Sequence, residues 1–225
     1  MPPWDPHCRG TWRAYIGASL GPKPEETAIA VAPIGPGDRR RGVGFTILAI
    51  GFQALWLGLP AVFLSAALVL SLVLWLTTPW RIVPGLRLAA GLGVLVLLAH
   101  VAEEYLTGFA VALPALFGRA GWGAARYLVF NGVWVLIFGA AAATVRAGRS
   151  LPVLVLLFLA VAGGVGNGLV HLLLVLQRGS YFPGAWTAPF CLAVGLWQLR
   201  TLYDRRADAV AHRREPMGGD LWEKS

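Results

Sequence analysis

Residues 86–106 read LRLAAGLGVLVLLAHVAEEYL. From Leu88 to Ala99 every residue is apolar or glycine, and the stretch then ends on His100, Glu103 and Glu104. A helix rises 1.5 Å per residue, so about 20 residues cross the hydrocarbon of a bilayer. This run has that length. The spacing i, i+3, i+4 turns His100, Glu103 and Glu104 to one helix face, with two carboxylates beside one imidazole. Ionisable side chains at membrane depth cost several kcal/mol unless they pair or line a wet cavity. The run therefore reads as a membrane span with a polar cluster near one end.

The composition agrees. Of the 225 residues, 57% are hydrophobic and 13% charged, whereas a soluble domain runs near half apolar and a quarter charged. Most of the charge lies before Val43 or after Leu199. A soluble enzyme, a disordered chain and a nucleic-acid-binding module are excluded on this ground, despite a net charge of +8. The basic residues flank apolar runs, where the positive-inside rule places them. Cys8 and Cys191 form neither a disulfide framework nor a metal-ligand spacing.

Further apolar runs lie at about 43–58, 60–78, 127–145, 151–176 and 185–203. The first two form one stretch, which Gly58, Leu59 and Pro60 break into a short hairpin or one broken helix. With six spans and both termini inside, sixteen of the nineteen Lys and Arg residues fall on inner segments; with five spans the split is nine against ten. The expectation is an all-α polytopic bundle of about six spans in the cell membrane, with both termini cytoplasmic. Residues 1–42 read as a disordered basic tail, 43–204 as the transmembrane domain and 205–225 as a polar tail. Arg39, Arg40 and Arg41 read as a basic anchor in preference to a signal n-region, because no small-residue cleavage site follows.

Other polar residues gather at the level of His100. The fifth run carries Asn167 and His171, i and i+4, and the fourth carries Asn131 near its start. A loop after the fifth run reads Tyr181-Phe182-Pro183-Gly184, in which Pro-Gly suits the centre of a type II turn. Counted along their helices, His100 and Glu104 lie about 20 and 26 Å from Arg87, and His171 about 30 Å from Leu151. All fall near the face that the charge count makes the outer one. Gly164 and Gly168, four apart beside Asn167 and His171, predict close approach by another helix.

His100-Val101-Ala102-Glu103-Glu104, Asn167-Gly168-Leu169-Val170-His171 and Tyr181-Phe182-Pro183-Gly184 resemble, in order, the HxxEE, NxxxH and YxPG motifs of the HXXEE-motif membrane protein family. The resemblance covers roughly residues 86–203. It implies a residue set and a membrane location, and no reaction.

Two His, two Glu and an Asn suit a metal. Two His with one carboxylate and an open position is a common catalytic zinc arrangement, and the same set suits non-haem Fe(II). The reading places His100, Glu104 and His171 on the metal, with Glu103 as general base. The spacing is equally compatible with the two glutamates exchanged. Asn167 would orient a ligand or donate to an oxyanion, and Tyr181 would close the site as a donor. In a metal-free version, a Glu made basic by apolar surroundings does the same work, an arrangement similar to the CAAX-type intramembrane proteases. Both versions point to hydrolysis of, or proton transfer on, a lipid-like or membrane-embedded substrate. The competing classes are a small transporter or proton relay, and a structural membrane subunit whose polar layer is interhelical glue.

Overall fold

The computed structural model describes residues 29–30, 34–78, 81–82, 85–145 and 149–202. Apart from a two-residue antiparallel pairing of Ile29–Ala30 with Arg81–Ile82, the described chain is all helical. Seven helices follow one another: α1 (Pro36–Leu57), α2 (Ala61–Thr77), α3 (Leu86–Thr107), α4 (Phe109–Ala115), α5 (Ala124–Thr144), α6 (Leu151–Arg178) and α7 (Ala188–Leu202).

Every apolar run is helical, and three of these helices are long and apolar enough to cross a membrane: α3, α5 and α6. This shows membrane-type helices, while the count of six spans expected from the charges is not reached. Helix α2 is apolar but only 17 residues long, α7 has 15, and α1 opens on Asp38, Arg39, Arg40 and Arg41. Large apolar side chains cover the outside of the bundle, with Leu136 74% and Leu176 77% exposed. A water-facing surface would bury such residues, whereas a lipid-facing one gains by exposing them.

The first helix begins earlier than expected. Pro36 fits the first turn because its missing N–H is unbonded there in any helix, and Asp38 complements the positive end of the dipole. Residues 36–42, expected in the tail, are thus helical, and Gly42 lies against the Trp75 ring. Residues 1–28 and 203–225 lie outside the described residues. Gly58 (φ +68°) ends α1, and Leu59-Pro60 turns the chain into α2. The two helices pack as an antiparallel hairpin, with Ser65 Oγ donating to Gln53 Oε1 at 3.1 Å. The hairpin form, one of the two expected, is the one adopted.

Helix α6 is the centre of the bundle. It touches α2, α3, α5 and α7, and Val153–Phe158 are all buried. Between Leu159 and Gly166 it widens into a π-helical segment, directly before Asn167. Such segments are rare and concentrate at functional sites. The glycines here meet α7 at backbone distance. A Cβ on Gly164 would lie 2.5 Å from Gly195 Cα, and one on Gly168 would lie 2.6 Å from Leu192 Cβ. The close approach expected of Gly164 and Gly168 is therefore present, with Gly195 as its counterpart on α7.

Polar ties fix both ends. At one, Arg87 donates to Val145 O at 3.2 Å, and Trp75 Nε1 to Ser150 O at 2.9 Å. At the other, Trp56 Nε1 donates to Arg126 O at 2.8 Å while Arg126 donates to Trp56 O. This second tie joins the hairpin tip to the start of α5. That end also holds the end of α3 and the loop between α6 and α7.

Candidate functional site

Three buried side chains meet at this end. Glu104 Oε1 lies 3.1 Å from His171 Nε2 and 3.5 Å from His100 Nε2. One ligand atom from each residue falls within 4.8 Å of the others. The imidazoles stand edge to face with centroids 4.7 Å apart. Helix geometry explains the pairing: His100 and Glu104 are one turn apart on α3, and α6 carries His171 to them from across the bundle. The other Glu104 oxygen, Oε2, accepts from the Tyr127 hydroxyl at 2.5 Å.

Glu103, next in sequence, points elsewhere. Its carboxylate accepts from Tyr181 Oη (2.7 Å), Trp186 N (3.0 Å), Thr187 N (2.8 Å) and Thr187 Oγ1 (2.6 Å). Glu103 thus anchors the loop after α6 to the end of α3. With these four acceptor positions filled by the loop, it is not placed beside the three-residue cluster. The exchange of glutamates that the spacing left open is resolved in placement: Glu104 sits with the imidazoles.

The loop bonds also set a tautomer. Thr187 Oγ1 gives its hydrogen to Glu103 at 2.6 Å, which leaves a lone pair for His100 Nδ1 at 2.7 Å. His100 Nδ1 is then the N–H donor, and its Nε2 keeps a lone pair. That Nε2 is buried and has no hydrogen-bond partner, as has His171 Nδ1. A carboxylate–hydroxyl–imidazole chain of this kind orients a ligating histidine.

The YxPG loop closes over the cluster. Phe182 O accepts from Ala185 N at 3.0 Å, and Gly184 has φ +92°, as the expected type II turn requires. Gly184 is needed for a second reason. A Cβ there would sit 2.5 Å from His171 Cε1 and 2.9 Å from His100 Cε1. Phe182 is fully buried and, with Phe109, packs on the His171 ring at centroid distances of 5.9 and 5.3 Å. Tyr181 is 42% exposed and reaches Glu103 rather than the cluster. Partial burial, and with it the Glu103 carboxylate, push its phenol above the ordinary value, so it stays a donor.

A cavity of about 360 Å³ opens from the cluster. Glu104, His171, Tyr127, Asn131 and Asn167 form its polar end, and the remaining lining is largely apolar and aromatic. Asn131 Nδ2 donates to Tyr127 O at 3.0 Å. Asn167, one turn before His171, also lines this wall.

Of the residues singled out from the sequence, His100, Glu104 and His171 come together, Asn167 lines the adjoining cavity, and Glu103 and Tyr181 hold the loop. Sequence reasoning missed Tyr127, Thr187, Phe182 and Phe109. Phe182 lay inside a quoted motif and Tyr127 at the start of an apolar run, but nothing in their spacing linked them to α3.

Residues 91–198 match the family described as "Protein of unknown function with HXXEE motif". Over that stretch the chain is similar to the HXXEE-motif family. No curated protein and no solved structure matches it. The matched stretch contains His100, Glu103, Glu104, Asn167, His171, Tyr181 and Gly184, whereas the α1–α2 hairpin that walls the cavity lies outside it.

Proposed function

We propose that this chain is a membrane enzyme in which His100, Glu104 and His171 hold one metal ion, zinc or Fe(II), and act on a lipid-like substrate by hydrolysis or proton transfer. One observation carries the reading: two imidazole nitrogens and a carboxylate oxygen converge at the buried polar end of a large apolar cavity. With ligand bonds of about 2.0–2.1 Å, neighbouring ligands of a tetrahedral ion stand about 3.3 Å apart. The two nitrogen–oxygen separations, 3.1 and 3.5 Å, bracket that value. The unpartnered Nε2 of His100 is the atom a metal would use.

A bound ion there would supply Lewis-acid polarisation of an ester or amide carbonyl, or an activated water. The chain's own residues supply the rest. Tyr127 holds Glu104, the Glu103–Thr187 pair holds His100, and Asn131 and Asn167 stand on the wall where a substrate's polar group would lie. Phe109, Phe182 and Gly184 keep water from the imidazoles. Glu103, whose carboxylate accepts four bonds from the loop, serves as its anchor and not as the general base.

A proton relay would need polar groups through the depth of the bundle. The cavity instead ends on Trp134, Phe138 and Phe158, packed ring to ring with Trp134–Phe158 centroids 4.9 Å apart. Placement in the cell membrane with the site facing outward follows from the charge distribution and forms part of this proposal.

The test is metal analysis of detergent-purified protein, wild type beside His100→Ala and His171→Ala, with hydrolysis of lipid esters and amides measured on the same samples. One equivalent of transition metal in the wild type, lost in both variants together with turnover, is expected. A metal-free wild type would remove the metal, and turnover that survives Glu104→Gln would remove the site.

A further inference from the structure

The cavity has a length as well as a volume, and the length can be read in carbon atoms. Its polar end is marked on α5 by Tyr127 and its far end by Phe138. The eleven steps along the helix between them amount to about 16 Å. An extended hydrocarbon chain with C–C bonds near 1.5 Å advances roughly 1.3 Å per carbon, which gives about twelve carbons for this depth. The volume, about 360 Å³, leaves room for a chain of that length.

The walls suit an apolar chain. Leu97, Val101, Phe130 and Ala162 line the shaft, and Phe63 and Leu116 belong both to the lining and to the exposed surface, 59% and 46% exposed. The mouth is therefore apolar and lies at the end of the bundle that carries the cluster. A molecule entering there tail first would set its polar group beside Glu104 and His171.

We infer that the cavity binds a single hydrocarbon chain of about twelve carbons, tail toward Trp134 and Phe138, with its head group at Glu104 and His171. The inference rests on the lipid-like substrate of the preceding reading and narrows it to a single-chain lipid, acyl or prenyl. Two-chain lipids would keep their second chain outside.

The experiment is a competition series with the full chain in lipid nanodiscs. Linear alcohols of 6 to 18 carbons, and farnesol, are added, and retained ligand is read by native mass spectrometry. Retention should peak near 12 carbons. Farnesol equal to or better than dodecanol would assign a prenyl chain, and dodecanol the better of the two an acyl chain. Ala162→Leu and, on a different helix, Ala67→Leu each add three carbons to the wall, so each should move the peak to shorter chains. A retention that rises steadily with chain length, as simple partitioning into the bilayer does, would overturn the proposal. So would a peak that neither variant moves. Metal content read on the same samples separates the two readings: chain selection without metal sinks the metal centre alone, and metal without chain selection sinks the chain site alone.

Discussion

Gly184→Ala is the sharpest perturbation of the site, because one methyl group is added where two imidazoles already press. Two costs are separable. A residue other than glycine at φ +92° bears left-handed strain, about 1–2 kcal/mol. The new Cβ also starts 2.5 Å from His171 Cε1 and 2.9 Å from His100 Cε1. Relief to an ordinary contact needs a shift of roughly 1 Å, and overpacking of this kind costs about 1–3 kcal/mol more. Either the loop lifts, stretching its four bonds to Glu103, or the rings turn away from Glu104. Gly179→Ala is the control. Gly179 has φ +63° in the same loop with nothing within 4 Å of its Cβ position, so it carries the strain alone. Thermal unfolding in one detergent should rank wild type above Gly179→Ala and Gly179→Ala above Gly184→Ala. The gap between the variants should be on the order of 3–10 °C for a chain of this size. Metal content should fall in Gly184→Ala and stay intact in Gly179→Ala. Equal melting points and equal metal in the two variants would refute the claim that Gly184 is pressed against the imidazoles.

Other substitutions probe the supporting contacts. Tyr127→Phe removes a buried donor to Glu104; metal affinity should drop about 10–100-fold and stability by roughly 1.5–3 kcal/mol, read by competition with a chelator and by unfolding. Glu103→Gln weakens the Thr187 bonds that orient His100, so metal affinity should fall by up to about 10–100-fold and the loop should loosen, seen as faster tryptic cleavage after Arg178; unchanged cleavage would contradict the anchor. Gly164→Leu drives a side chain into the Gly195 backbone and should cost more than about 3 kcal/mol, abolishing folded protein in detergent. Gly132→Leu, with nothing within 4 Å of its Cβ position, should purify normally.

The helices were legible because apolar runs of fixed length leave a chain in lipid few alternatives to hydrogen-bonding its backbone within each segment. The meeting of α3 and α6 was legible from depth along each helix, since His100, Glu104 and His171 fall at one level once the rise per residue is applied. Rotation about each helix axis was not. Glu103 and Glu104 flank His100 on opposite sides, about 100° apart on the wheel, and only the packed structure tells the carboxylate that anchors Thr187 from the one that meets both imidazoles. Tyr127 was invisible for the same reason, as its hydroxyl crosses between helices that no sequence period connects. The start of α1 lies earlier than the charge pattern suggests: Arg39, Arg40 and Arg41 look like tail, yet their exposed positions on the first turns let them stay hydrated while Gly42 packs on Trp75. The small-residue pattern of α6 did predict close approach, although not the π-helical widening that precedes Asn167.

X-ray absorption at the metal edge of purified wild-type protein tests the proposed centre most directly. The expected spectrum has nitrogen and oxygen neighbours at about 2.0–2.1 Å, with the outer-shell scattering of two imidazole rings, reduced to one ring in His100→Ala. A metal surrounded by sulfur, a spectrum indifferent to His100 and His171, or no metal at the edge would contradict it.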